Sequence, residues 1–232
     1  MIRFDEPMVE AHWSRLLAVA PHATLIEGVS GIRAAHAACA ERASGAHFFV
    51  VDADNWLLDG FSFEVDFKPH PDEVAVWRAS NPVNGLVYGH GGIKLIPSEA
   101  AKESIESRSV DLATSLTDLY RVVGVLASQH RFNSTPLLAW RTAFRECAKL
   151  ASSMMRGTIE PATVHRLNIW CSIANRVPNA QWCLLGALAG REFGTMHATD
   201  QEMLGAINDY SWLRERFIKA SETVDPKVAA GS

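Results

Sequence analysis

The stretch "AHFFVVDADNWLLDGF", residues 46–61, constrains the fold of this chain more than any other. A short unbroken apolar run is a strand covered on both faces. A half-exposed strand would alternate, and a buried helix would need about ten residues or more. The run stops abruptly at Asp52-Ala53-Asp54, so two carboxylates stand where the strand leaves the sheet. Just before it, "GIRAAHAACAERAS" reads as a helix from its alanines and its Ile32, Ala35, Cys39 spacing. Two further strands follow, "EVAVWRA" and "GGIKLIP". Helices alternating with buried strands predict an α/β fold in the front half.

The back half reads as helical. Ser134-Thr135-Pro136 places a capping hydroxyl before a proline and opens a helix to about Met155. Pro161 opens another through Asn175, and "AQWCLLGALAGREFG" is a buried helix with Gly194 as its stop. Thr199 and Glu202 form a capping box starting a last helix toward Lys219. The expected organisation is an α/β half over 1–130, a helical half over 131–222 that completes the same site, and a disordered tail over 223–232. At 48% hydrophobic and 21% charged residues, the chain has an ordinary globular core. No run approaches the roughly 18 apolar residues of a membrane span, and the acidic N-terminus lacks signal-peptide order. The four cysteines have neither metal spacing nor disulfide density, which predicts reduced thiols in a cytoplasmic protein. A net charge of −4 argues against indiscriminate coating of nucleic acid.

Asp52 and Asp54 sit at the carboxyl edge of the expected sheet, where open α/β sheets bind ligands. In an extended chain they point to one side, repel each other and invite a hard cation, Mg²⁺ or Mn²⁺. The competing chemistry, a phosphatase-type aspartyl nucleophile, wants Thr or Val where Trp56 stands. The second informative stretch is "VWRASNPVNGLVYGHGGIKLIP", residues 76–97. Its Asn-Pro, Asn-Gly and Gly-His-Gly-Gly turns carry Trp77, Arg78, Tyr88 and Lys94. That mixture suits the rim of a pocket for a polar, partly planar ligand, against the plainer reading of a glycine-rich hairpin with core aromatics. Arg141, Arg145 and Lys149 recur every four residues along one helix, with Arg156 near the same azimuth. Trp140, Phe144 and Cys147 lie opposite.

The stretches "FDEP", "GVSGIRAAHAACA", "VVDADNWLL", "VWRASNPVNGLVYGHGGIKLIP", "DLATS", "FNSTPLLAWRTAFRECAKL" and "INDYSWL" run in order across nearly the whole chain. Together they resemble the TET-associated glycosyltransferases, a GT-A-like family mostly from bacteriophages and related to the base J glucosyltransferase. The resemblance implies a GT-A-like (Rossmann-like) nucleotide-sugar-binding sheet with a helical C-terminal half. It also implies transfer from a UDP-sugar, UDP-glucose or UDP-N-acetylglucosamine, to a 5-hydroxymethylpyrimidine in DNA, with 5-hydroxymethylcytosine ahead of 5-hydroxymethyluracil. Asp52 and Asp54 would then hold Mg²⁺ or Mn²⁺, with His197 as a third ligand. Arg78, Asn81, Asn84, Gly91, Gly92 and Lys94 would line the donor. Asp111 would be the general base, with His90 and Asp118 as alternatives, unless the reaction retains configuration. Trp77, Tyr88, Phe132 or Trp140 would stack a flipped base and Asn133 or Asn84 read its edge, while Arg141, Arg145 and Lys149 meet DNA phosphates. No membrane partner is expected, and a phage-encoded enzyme would work in the host cytoplasm. The alternatives are a GT-A transferase with a protein or cell-wall acceptor, and a non-catalytic reader of modified DNA.

Overall fold

The computed structural model describes residues 1–106, 112–152, 161–173 and 177–222. They form two compact units, 1–106 with 112–131, and 132–222. Asp111, Arg156 and the expected tail lie outside the described residues.

The first unit is built on a mixed sheet. Its N-terminal segment places Ile2 in parallel bridges with Ile26 on one side and Asp52 on the other. Helix α1 (Val9–Val19) joins the first two of these segments, and α2 (Ile32–Arg42) leads from the second into β1 (His47–Val51). Strands β2 (Asn55–Leu57), β3 (Val74–Ser80) and β4 (Val87–Pro97) follow. After them come α3 (Ser98–Glu103), α4 (Leu112–Leu116) and β5 (Tyr120–His130). The strand order is β1-β4-β3-β5-β2. Strand β4 is antiparallel to β1 and β3, β3 is parallel to β5, and β2 is antiparallel to β5. The Ile26 and Ile2 segments, β1, β3 and β5 therefore all run one way and end at one edge.

Both faces of the sheet are covered, which explains the unbroken apolar runs. Val51, Ala75, Trp77, Ile93 and Leu95 join Val9 and Leu16 of α1 in one core. Val50, Val74, Val76 and Ile96 pack with Ala40 of α2 and Ala101 of α3 in the other. Neighbouring residues thus alternate between two cores, as the pleat dictates.

The turn chemistry of residues 76–97 builds the β3–β4 connection. The Asn81 carboxamide oxygen accepts from Val83 N at 2.9 Å and that of Asn84 from Leu86 N at 3.1 Å, while Gly85 adopts a φ of 75°. Strand β4 then bulges. It advances from Gly89 to Lys94 while β3 advances only from Val76 to Arg78, which throws His90, Gly91 and Gly92 out of register. Gly91 has a φ of 79°, and a Cβ on Gly92 would collide with the Asn55 side chain.

The second unit contains α5 (Pro136–Ala151), α6 (Pro161–Trp170), α7 (Ala180–Met196), α8 (Gln201–Gly205) and α9 (Tyr210–Glu222). Thr135 caps α5, its hydroxyl accepting from Leu138 N at 3.2 Å, with Pro136 in the first turn. Gly194 is not a stop: α7 continues to Met196. Gly186, Gly190 and Gly194 instead lay α7 against the backbone of Trp140, Phe144 and Ala148 on α5, where a Cβ on any of them would overlap. Helix α6 ends at Trp170, short of Asn175. The last helix is also two helices. Asp200, not Thr199, caps α8 through Met203 N, and Asp209 caps α9 through Ser211 N and Trp212 N.

Candidate functional site

The chain leaves the Ile2 segment through α1 toward Ile26 and later enters β1 on the other side of Ile2. The two connections diverge on opposite faces, since α1 belongs to one core and α2 to the other. Such a divergence opens a crevice at the carboxyl ends of the strands, the standard ligand position in α/β sheets. Asp52 follows the last residue of β1 at this point.

The two carboxylates are not disposed as an extended chain would place them. Asn55 N donates to Asp52 O at 3.0 Å, so residues 52–55 make a tight turn. Lys94 Nζ lies under Asp52, donating to its two carboxylate oxygens at 2.8 and 3.0 Å and to Gly91 O at 2.6 Å. The lysine side chain is 6% exposed and that of Asp52 is 38% exposed, so the ammonium faces inward and the carboxylate outward. Lys94 is thus the counter-ion that orients Asp52, and its three donors are spent inside the protein. Burial pushes the Asp52 carboxyl above its ordinary range, Lys94 opposes this, and Asp54 adds to it.

Asp54 meets a residue that the sequence did not single out. His130, at the end of β5, places Nε2 2.8 Å from Asp54 Oδ2, and Asn55 Nδ2 donates to the other oxygen at 2.8 Å. Asn55 in turn accepts from Ser128 Oγ at 2.9 Å. The His90 ring, carried on the bulge, lies 3.8 Å from that of His130, and Tyr88 meets His90 edge-on. Burial alone would raise the Asp54 carboxyl, but His130 and His90 together with the Asn55 amide outweigh it and hold it well below the usual range. Glu6, after the Ile2 segment, is held above its ordinary range by burial and by the Asp54 charge, against a hydrogen bond from Phe4 N.

The expected divalent cation fits part of this set. Asp54 Oδ2 and His130 Nε2 have the roughly 3 Å separation of adjacent ligands on one ion with bonds of about 2 Å. Asp52 departs from the expectation because Lys94 bridges both its oxygens. Among the described residues no three His, Cys, Asp or Glu side chains are gathered to hold a metal. A cation on Asp54 and His130 would complete its shell from water and ligand phosphate, as Mg²⁺ commonly does. His197 does not join such a group: it ends α7 with its ring 4.7 Å from that of Phe193.

Other expected site residues divide clearly. Arg78 is half-buried near the carboxyl end of β3, with no hydrogen-bond or ion-pair partner among the described residues. The carboxamide nitrogens of Asn81 and Asn84 are buried without a partner among the described residues, their oxygens being engaged in the turns. Tyr88 is half-buried, pairs with Ala79 across the ladder and meets the His90 ring. Trp77 is core, not a stacking surface, because it points from β3 into the α1 side and packs 5.1 Å from Phe49.

In the second unit, Trp140 is buried and stacked on Phe144, and Phe132 is buried against Trp170. Neither ring is open to a base. Asn133 spends its amide on Pro178 O at 2.8 Å and receives Asn179 Nδ2 on its backbone oxygen at 2.9 Å, a clasp between two loops. The basic stripe is also mostly spent. Arg141 is buried under the Tyr210 ring at 4.1 Å, and Arg145 donates to Ile207 O and Asn208 Oδ1. Lys149 is half-buried. Glu146 pairs with Arg166 at 3.5 Å. The helix is covered on both sides, so its arginines fasten the 206–212 segment.

No family model matches the chain, and neither a curated protein nor a solved structure matches it significantly. What stands is an α/β first unit with a five-stranded mixed sheet, and a helical second unit with no helix among the described residues long and apolar enough to cross a membrane.

Proposed function

We propose that this protein is a GT-A-like glycosyltransferase that moves a sugar from a UDP-sugar to the hydroxymethyl group of a 5-hydroxymethylpyrimidine in DNA. The observation that carries the nucleotide-sugar part is the divergence of the two chain connections on either side of the Ile2 segment, with Asp52 following β1 there and Asp54 paired to His130. Asp54 and His130 would hold Mg²⁺ or Mn²⁺, which supplies positive charge against the departing diphosphate. Asp52, fixed by Lys94 and turned outward, is set to accept hydroxyl hydrogens of ribose or sugar. Arg78 brings a guanidinium with no partner among the described residues and suited to phosphate oxygens, and the Asn81 and Asn84 amide nitrogens bring donors that no described residue uses. The acceptor rests on the seven resembling segments, and Asp111 keeps the role of base there. The direct test incubates the full chain with UDP-glucose or UDP-N-acetylglucosamine, Mn²⁺ and duplexes containing 5-hydroxymethylcytosine or 5-hydroxymethyluracil. Nucleoside mass spectrometry should find a hexosylated base, and unchanged nucleosides in every combination would refute the reading.

A second acceptor class has an observation behind it. Arg141 and Arg145 are consumed inside the helical unit, which weakens the expected grip on DNA phosphates. A protein or cell-wall saccharide acceptor would not need that grip, and donor hydrolysis without DNA labelling in the same assay would favour it.

A further inference from the structure

Asn55 stands between Asp54 and Ser128, and the sugar-transfer reading gives it no role. It is buried on β2, directly opposite His130 of β5 in the ladder. Its amide nitrogen donates to Asp54 Oδ1 at 2.8 Å. Its amide oxygen accepts from Ser128 Oγ, itself buried, at 2.9 Å. A flipped amide would set its oxygen against the Asp54 carboxylate, so the two partners together fix one orientation. The bulge in β4 supplies the room. Gly92 lies against the Asn55 side chain, and a Cβ there would overlap the amide carbon, nitrogen and oxygen alike. Strands β2, β4 and β5 thus converge on one amide that is aimed at Asp54.

We propose that Asn55 is a positioning residue that makes Asp54 a one-oxygen ligand and so sets which cation the sheet edge accepts. This rests on the reading of Asp54 and His130 as the holders of the cation that meets the diphosphate. Asn55 occupies Oδ1, and Oδ2, 2.8 Å from His130 Nε2, is the oxygen left to a cation. A carboxylate offering one oxygen suits a small octahedral ion that keeps several waters, as Mg²⁺ does and Mn²⁺ can. Ca²⁺ takes about six to eight oxygens at longer distances and readily uses both oxygens of one carboxylate. That second oxygen is what Asn55 withholds. Ser128 belongs to the same device, because its hydroxyl keeps the amide oxygen turned away from Asp54. Partners that orient a ligand in this way typically contribute about 10- to 100-fold in metal affinity.

The test titrates Mn²⁺ and Ca²⁺ separately into the full chain with UDP present. Bound Mn²⁺ is read from the loss of the free-ion electron paramagnetic resonance signal, and Ca²⁺ by calorimetry. Asn55→Leu should lose about tenfold or more in Mn²⁺ affinity while Ca²⁺ affinity holds or rises, so the preference for Mn²⁺ falls by at least that factor. Gly92→Ala keeps the amide but pushes it aside, since the Asn55 side chain is what yields and the Gly92 backbone lies outside the left-handed region. It should show the same change in preference, and it decides the matter if Asn55→Leu does not fold. An equal loss of both ions would assign Asn55 to the fold alone and overturn the proposal. So would Mn²⁺ binding as tight as that of wild type. No Mn²⁺ binding by wild type would instead overturn the cation reading itself, and the proposal with it.

Discussion

Lys94 organises the sheet edge at the scale of a single residue. Its ammonium is buried and all its hydrogen bonds go to Asp52 and Gly91, so Lys94→Met removes the only counter-ion bonded to Asp52 among the described residues. Breaking a fully buried pair costs about 3–5 kcal/mol, but Asp52 keeps contact with water, so a loss of about 1–3 kcal/mol is expected in urea unfolding. An unchanged midpoint would show that the pair contributes nothing. Cys171 gives a prediction with a pH sign. The hydrogen bond from Cys147, with help from Arg191 and against burial, lowers its thiol to about 7. The thiolate fraction grows as pH rises through that value, so iodoacetamide should label Cys171 with a midpoint near 7. A midpoint near 9, the ordinary value, would contradict it. Asp52 and Asp54 were legible because an apolar strand ended in them. His130 was not, because it follows Ser128 and Gln129 and a lone histidine has no pattern until β2 pairs with β5 and sets Asn55 opposite it.

Among the elements, the α5–α7 contact is the most exacting. Gly190→Ala would drive a Cβ into the Phe144 backbone, which has no flexible end to yield. A loss of about 2–3 kcal/mol is expected in chemical denaturation. Gly205→Ala, with nothing within 4 Å of its Cβ, serves as the control and should be neutral or slightly stabilising. Equal effects of the two changes would mean that the helices are not in close contact. Strands β1 and β3, and the start of α5, follow directly from apolar runs and capping chemistry. The stripe of arginines misled because a helical wheel distinguishes only a core side from the opposite side. Tyr210 and the 206–208 turn cover that opposite side, and their approach is tertiary information. Gly194 misled for a related reason: a glycine serves equally as a stop or as a surface for close packing.

At the scale of the whole molecule, the charge pattern bears on the acceptor. Four phosphate contacts from the α5 stripe would give a log–log salt slope of about −3.6, at about −0.9 each. With Arg141 and Arg145 engaged internally, binding to hydroxymethylated duplex should have a slope no steeper than about −1.8 from this stripe, read by fluorescence anisotropy across a KCl series. The steeper value would return those arginines to the DNA. In the other unit, the proposed donor site is the Asp54 and His130 edge of the sheet, where a nucleotide diphosphate would bind. Calorimetric titration of UDP with Mn²⁺ into wild type and Asp54→Asn tests it most directly. Wild type should bind, and the variant should lose about tenfold or more in affinity, about 1.4 kcal/mol. Equal affinity in the two proteins, or no binding by wild type, would contradict the account.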